Sequence, residues 1–267
     1  MNLAVFRHAL RQNRVRLLIV VAALMLWGAL MPVIYAAFGV EMQEIIRQFP
    51  MIEQFARFGG GSMFSLPGSV GLGFIHPIAI ALLAVFAIAY PVTAVAGERQ
   101  RGTLENVLAR PVSRRSFYVT LLVVAVLLIA LSVAAALVGA LVASAAVNRL
   151  DELEAQNLPL LWLNGTLLYV AFASIGLAAS VSFDRAAPAA AVTLAVVLVA
   201  YFLQVLGSLW PDAEWLQPYS LFYYLKPEEV LTNGLSLVDI GLLAAVAALG
   251  VIYAVIVFPR RDLAAPA

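Results

Sequence analysis

The chain has 267 residues, 64% of them hydrophobic and 12% charged, with a mean hydropathy of +0.98. A soluble domain is about 45–50% apolar and about 25% charged, so this composition excludes a soluble globular protein and indicates an all-α integral membrane protein. There is no cysteine, and the two histidines are His8 and His76; a disulfide framework, a thiol nucleophile and a histidine metal cage are excluded.

In chain order, Leu3–Arg16 can form a helix. Arg7, Arg11 and Arg14 lie on one stripe beside Leu3, Phe6 and Leu10. It is expected to lie at the inner leaflet as an amphipathic element, its arginines snorkelling to anionic headgroups. Six stretches are then long and apolar enough to span a bilayer: Leu17–Phe38, Val70–Ala96, Tyr118–Val147, Leu158–Phe183, Ala186–Trp210 and Val238–Phe258. Each exceeds the ~20 residues needed to cross about 30 Å of hydrocarbon. Backbone in lipid must satisfy its own hydrogen bonds, so they are read as helices. The first is too long and too late for a cleaved signal peptide and reads as a retained anchor. The whole chain, 1–267, reads as one transmembrane domain.

Three segments join the spans on one side. Glu41–Phe58 carries apolar residues at helical spacing and is broken by Pro50 into two short amphipathic helices. Asn148–Asn157 is a short acidic loop. Trp210–Leu237 is rich in aromatics, which favour the headgroup level. Its "KPEEVLTNG" predicts a short helix, with Pro227 in the first turn and Gly234 just past the end. The segment is read as an interfacial cap, with a gate as the alternative.

Charge fixes the expected orientation. Twelve of the sixteen basic residues lie in the N-terminal stretch, the second-to-third loop, the fourth-to-fifth loop and the tail. Eleven of the fifteen acidic residues lie on the opposite side. The positive-inside rule places both termini and the second-to-third loop in the cytoplasm. The spans carry few ionisable residues: Asp239 at the edge of the sixth, and His76 near the outer end of the second. Proton and ion relays usually need more. His76, followed by Pro77, reads as a packed or interfacial histidine at a helix irregularity. Gly139/Ala143 and Gly176/Ser180 are small pairs at spacing four, suited to close helix packing. A phosphate-binding loop needs a lysine after glycine. The only lysine is Lys226, between Leu225 and Pro227, so the chain cannot hydrolyse ATP by that route. No catalytic residue and no metal site are expected.

Ala94–Thr120 breaks the pattern, with five arginines and two glutamates. Glu98, Arg101, Glu105 and Leu108 recur at helical spacing and share a face, and Leu104, Val107 and Leu108 give an apolar strip. Pro111 ends the helix, and Ser113 can cap the third span. A short, stiff amphipathic helix bracketed by two spans is expected here, from Gly97 to Arg110.

"GERQRGTLENVLARPVSRRSFY" resembles the cytoplasmic loop of the type-2 ATP-binding-cassette permease family. The matching residues are Glu98, Arg101, Gly102, Thr103, Leu104, Glu105, Val107, Leu108 and Pro111 through Arg114. Asn106 is more polar than the family's usual apolar residue. The plan of six spans with both termini inside is similar too, as is, loosely, "LQPYSLFYYLKPEEVLTNG". The resemblance implies the membrane subunit of a split exporter in a prokaryotic inner membrane, forming a homodimer or a heterodimer with a second permease. Two ATP-binding-cassette ATPase subunits would bind ATP and Mg2+; this chain would bind no cofactor, and no nucleic acid is expected. The loop helix would be the coupling helix. Glu98, Arg101 and Glu105 would make polar docking contacts, Gly102 would permit close approach, Leu104 and Leu108 would pack. Charge-poor spans favour apolar or amphipathic cargo, with Thr193 and Gln204 as candidate path residues. The same architecture admits a non-export role in assembly, copper-enzyme maturation or signalling, and sodium efflux; an unrelated channel or membrane enzyme is the remaining alternative.

Overall fold

The computed structural model of the protein describes residues 1–39, 65–104 and 113–261. The two helices expected in 41–58 lie outside the described residues, as do Glu105, Leu108 and Pro111. Among the described residues the chain is helical, with no strand. Six helices there are long and apolar enough to cross a membrane.

The first helix, α1, runs Leu3–Ile34 and continues as a π-turn through Tyr35–Gly39. The expected separate N-terminal helix is therefore corrected: it is the start of the first span. No glycine or proline interrupts residues 3–27, and one continuous ladder leaves fewer orphaned backbone groups than two short helices. Asn2 closes the start, its Oδ1 accepting from the Ala4 and Val5 N–H groups at 3.0 and 3.1 Å. The 36 residues of Leu3–Phe38 reach about 54 Å at ~1.5 Å each. That exceeds about 30 Å of hydrocarbon, so the exposed arginines stand on turns beyond it.

The second span also departs from expectation. A short helix, α2 (Leu66–Ile75), stops at His76, and the spanning helix α3 runs Pro77–Gln100. His76 adopts φ −69° and ψ 141° because the proline ring after it disfavours the helical region. Its Nδ1 accepts from the Ile78 N–H at 3.3 Å, and its ring lies 4.7 Å from that of Trp27. Leu66, Val70 and Phe74 are buried, and α2 packs on α1; it belongs to a cap at one end of the bundle.

The remaining helices fall close to their expected bounds: α4 Arg114–Ala146, α5 Leu158–Ser182, α6 Ala186–Leu209, α7 Pro227–Asn233 and α8 Leu237–Arg260. Ser113 caps α4, its Oγ accepting from the Ser116 N–H at 3.2 Å. α7 ends at Gly234 with φ +85° and ψ −170°, a backbone region open essentially only to glycine. α5 is the most buried span and packs on α3, α4, α6 and α8. Apolar side chains such as Leu198, Val199 and Phe202 on α6, and Leu249 and Ile252 on α8, face outward.

The end rich in acidic residues is a polar-stitched cap. Ser65 donates to Glu228 at 2.8 Å, joining α2 to α7. Asn164, wholly buried on α5, donates to the Leu225 and Tyr224 carbonyls at 2.6 and 3.2 Å. Lys226 pairs with Asp239 at 3.3 Å. Burial pulls the lysine's proton affinity down, but the Asp239 carboxylate outweighs it and the net shift is upward. Tyr35 donates to Glu152 at 2.7 Å, tying α1 to the α4–α5 loop.

The tightest crossing is α1 on α4. A Cβ at Gly28 would stand 2.0 Å from the Ala136 carbonyl oxygen, and one at Gly139 2.0 Å from that of Met25. The expected packing role of Gly139 is met within one subunit. Gly28→Val should force the helices apart, at a cost of at least ~3 kcal/mol from overpacking. Gly241→Ala, whose new methyl meets nothing within 4 Å among the described residues, should be neutral or stabilise by up to ~1 kcal/mol. Thermal unfolding in detergent separates the two; equal midpoints would contradict the crossing.

Candidate functional site

The charged stretch begins as the last turn of α3. The helix stops in a turn built by the motif itself. The Thr103 N–H donates to the Glu98 carbonyl at 3.0 Å, and the Gly102 N–H to that of Arg99 at 3.0 Å. This crossed pair, with Gly102 at φ +69°, is the Schellman stop, in which a left-handed residue satisfies the helix's last carbonyls. Gly102 thus has a conformational role. Among the described residues a Cβ there would meet nothing within 4 Å; the close approach expected of Gly102 concerns a docking ATPase, outside this chain.

Glu98 is spent inside the same turn. Its carboxylate accepts from Arg101 Nη2 at 2.5 Å and from the Thr103 hydroxyl. The helical spacing of Glu98 and Arg101 does place them in contact, as expected. The continuous helix expected from Gly97 to Arg110 is corrected, because the chain reverses at Gly102. Leu104 follows the turn with no exposed surface. It packs among Val95, Phe117, Tyr118, Leu121 and Phe258, so it anchors the turn to the bundle. Burying such a side chain from water contributes about 1.5–3 kcal/mol.

Arg99, Gln100, Asp184 and Arg261, which the sequence motif did not single out, together with the motif's Arg114, tie this region to three other helices. Buried Arg99 pairs with Asp184, in the α5–α6 connection, at 2.7 Å. Arg261, just past α8, pairs with the same carboxylate at 2.6 Å and donates to the Val181 carbonyl at 2.6 Å. Gln100 Oε1 accepts from the Ala186 N–H at 3.0 Å, covering an orphaned donor at the start of α6. Arg114 donates to the Pro259 and Arg261 carbonyls at 3.2 and 2.8 Å. A cation there also suits the negative end of α8. The available sequence signal was Asp184, one of four acidic residues on the arginine-rich side. What remains outward is basic: Arg101, whose side chain is 55% exposed, and the exposed Arg115 and Arg185.

The two candidate path residues are inside helix contacts. Thr193 is fully buried and donates to the Ala189 carbonyl of its own helix at 2.8 Å. Gln204 is also buried, and its Oε1 has no hydrogen-bond partner among the described residues.

The plan is now complete: six spans, a motif-built turn after the second, and a bundle that converges on it. A protein-family model described as ABC-2 family transporter protein matches residues 5–263. The chain belongs to the ABC-2 transporter family. No curated protein matches it. As an ABC-2 family member it is a multi-pass membrane permease subunit of an ABC transporter, a family that associates with ATP-binding-cassette ATPase subunits. The motif of this ABC-2 chain is therefore first a folding device and second a surface.

Asp184→Asn should loosen the turn, because two arginines lose their shared carboxylate. Asp184 is half exposed and Arg99 is nearly enclosed, so the cost should lie between surface and buried pairs, about 1–3 kcal/mol. A lowered unfolding midpoint, restored by Asp184→Glu, is the expected outcome; an unchanged midpoint would contradict a stabilising role for the Asp184 carboxylate shared by Arg99 and Arg261.

Proposed function

We propose that this chain is the membrane subunit of an exporter, driven by two copies of a separate ATPase. The observation that carries the reading is the stiff turn at Glu98–Leu104, tied to α5, α6 and α8 and presenting Arg101 outward. A push on such a turn reaches the bundle without being lost in a loose loop. Arginine accumulation at this end supports a cytoplasmic position for it and for both termini, in a prokaryotic inner membrane. Glu105, Leu108 and Pro111 would continue the ATPase-docking segment of 97–110. Glu98, Thr103, Leu104 and Arg114 hold it in place, and Arg101 contacts the partner. Two such chains, or this chain and a second permease, would enclose the cargo path. Few charges in the spans favour an apolar or amphipathic cargo. Gln204, whose amide oxygen has no partner among the described residues, is the polar group to which that path would open, with Thr193 beside the α5–α6 contact.

The test is Arg101→Glu in a complex purified in mild detergent. Losing one exposed ion pair costs the fold at most about 1 kcal/mol, so the chain should remain folded. Recovery of the ATPase and ATP-driven export of a fluorescent amphipathic dye from cells should both fall at least tenfold, the scale of about 1.4 kcal/mol of binding. A folded variant that keeps both would sink the docking assignment.

A further inference from the structure

α3 reaches the turn through a π-segment, Thr93–Gly97, and a side chain from another helix is threaded into it. The Ala96 N–H donates to Ser180 Oγ at 2.8 Å, and the Ser180 hydroxyl donates to the Val92 carbonyl at 2.9 Å. An unbroken α-helix would pair those two backbone groups with each other, N–H of residue i to C=O of i−4. A π-turn steps by five residues and so leaves one N–H over. Ser180 supplies its acceptor in a place water does not reach, being 1% exposed.

The surrounding residues allow this insertion. Pro91 has no N–H, so the Ala87 carbonyl loses its α-helical donor and the ladder is already open there. Gly176, one turn before Ser180, brings α5 close: a Cβ on it would stand 3.2 Å from Pro91 Cβ and 3.4 Å from the Ala87 oxygen. Several other serines and threonines in the spans, Ser132, Ser144 and Thr193 among them, close onto carbonyls of their own helices instead.

The geometry points to Ser180 as a positioning residue for coupling: its hydroxyl holds α3 in the π-wound register that brings Arg99 and Gln100 to the 184–186 connection. One residue more or less in the winding rotates everything beyond it by about 100° and shifts it ~1.5 Å along the axis. The Arg99–Asp184 and Gln100–Ala186 contacts, at 2.7 and 3.0 Å, do not survive such a rotation. Without Ser180, the Val92 carbonyl and Ala96 N–H have each other as the available partners, because unpaired backbone is not tolerated in hydrocarbon. Closing that pair converts π to α and turns the coupling segment away from its seat. The functional half of this inference rests on the coupling reading above; the register itself is a property of this chain alone.

The chain has no cysteine, so Gln100→Cys with Ala186→Cys gives a unique reporter pair for a short bifunctional thiol reagent. In the full chain in native membranes, the pair should crosslink readily and remain so with Ser180→Thr, which keeps the hydroxyl. Ser180→Ala should slow crosslinking roughly tenfold, the scale of one buried hydrogen-bond arrangement. Deleting Ala94 shortens the five-residue step to four while keeping the register of Glu98–Arg101. Ser180→Ala combined with that deletion should crosslink at the parental rate. A parental rate in Ser180→Ala alone overturns the proposal. If that variant does not fold, the combined variant decides: parental crosslinking supports the register role and slow crosslinking overturns it. ATP-driven flux is measured without the cysteines. Flux lost in Ser180→Ala and regained in the combined variant supports positioning for coupling; flux unchanged while crosslinking slows overturns that half. An unsubstituted chain that crosslinks but shows no ATP-driven flux overturns the exporter reading and leaves the register result standing.

Discussion

Backbone N–H and C=O groups in hydrocarbon have no water to turn to, and an unpaired one costs several kcal/mol. Most of this bundle meets that constraint with uninterrupted helices. The informative places are where a ladder is open and a side chain closes it. His76 covers the Ile78 N–H at the proline break before α3. Asn164 covers two carbonyls where the chain turns toward α7. Ser180 covers both a donor and an acceptor inside α3. Each repair comes from a residue near the break or from α5, the span most enclosed by the others.

These repairs also divide rigid from adjustable structure. α1 and α4 meet at glycines whose added methyls would strike carbonyl oxygens, so their crossing has little freedom. α3 is wound differently, with π-segments at Val85–Ala89 and Thr93–Gly97 around Pro91. A helix built this way has two nearby ways of satisfying its backbone. It also leads straight into the turn that carries the exposed Arg101.

Charge at the arginine-rich end serves two purposes that composition cannot separate. Arg99, Arg114 and Arg261 are committed within the chain, to the Asp184 carboxylate and to helix-end carbonyls. Arg101, Arg115 and Arg185 point outward. A count of positive residues gives the same weight to both groups. Glu98 shows the same division: helical spacing placed it beside Arg101, but its contact with Thr103 exists only because the chain reverses at Gly102.

Length and apolar composition by themselves determined six helices, their approximate limits, and the basic and acidic ends, because crossing hydrocarbon imposes a minimum length and a hydrogen-bonded backbone on any sequence. The helix at Pro227–Asn233, the Ser113 cap and an irregularity at His76–Pro77, though not the break that starts α3 there, were also legible, since proline, glycine and hydroxyl caps act within a few residues. The motif around Glu98 and Gly102 was visible as a motif. Tertiary structure alone decided that the N-terminal arginines ride on the first span, that Leu66–Ile75 belongs to the cap, and that Gly102 stops a helix instead of lying within one. It also decided that Asp184 gathers Arg99 and Arg261 and that Ser180 enters α3. Those partners lie some 77 to 88 residues apart in the chain, and local periodicity holds no information about which distant helix will stand opposite.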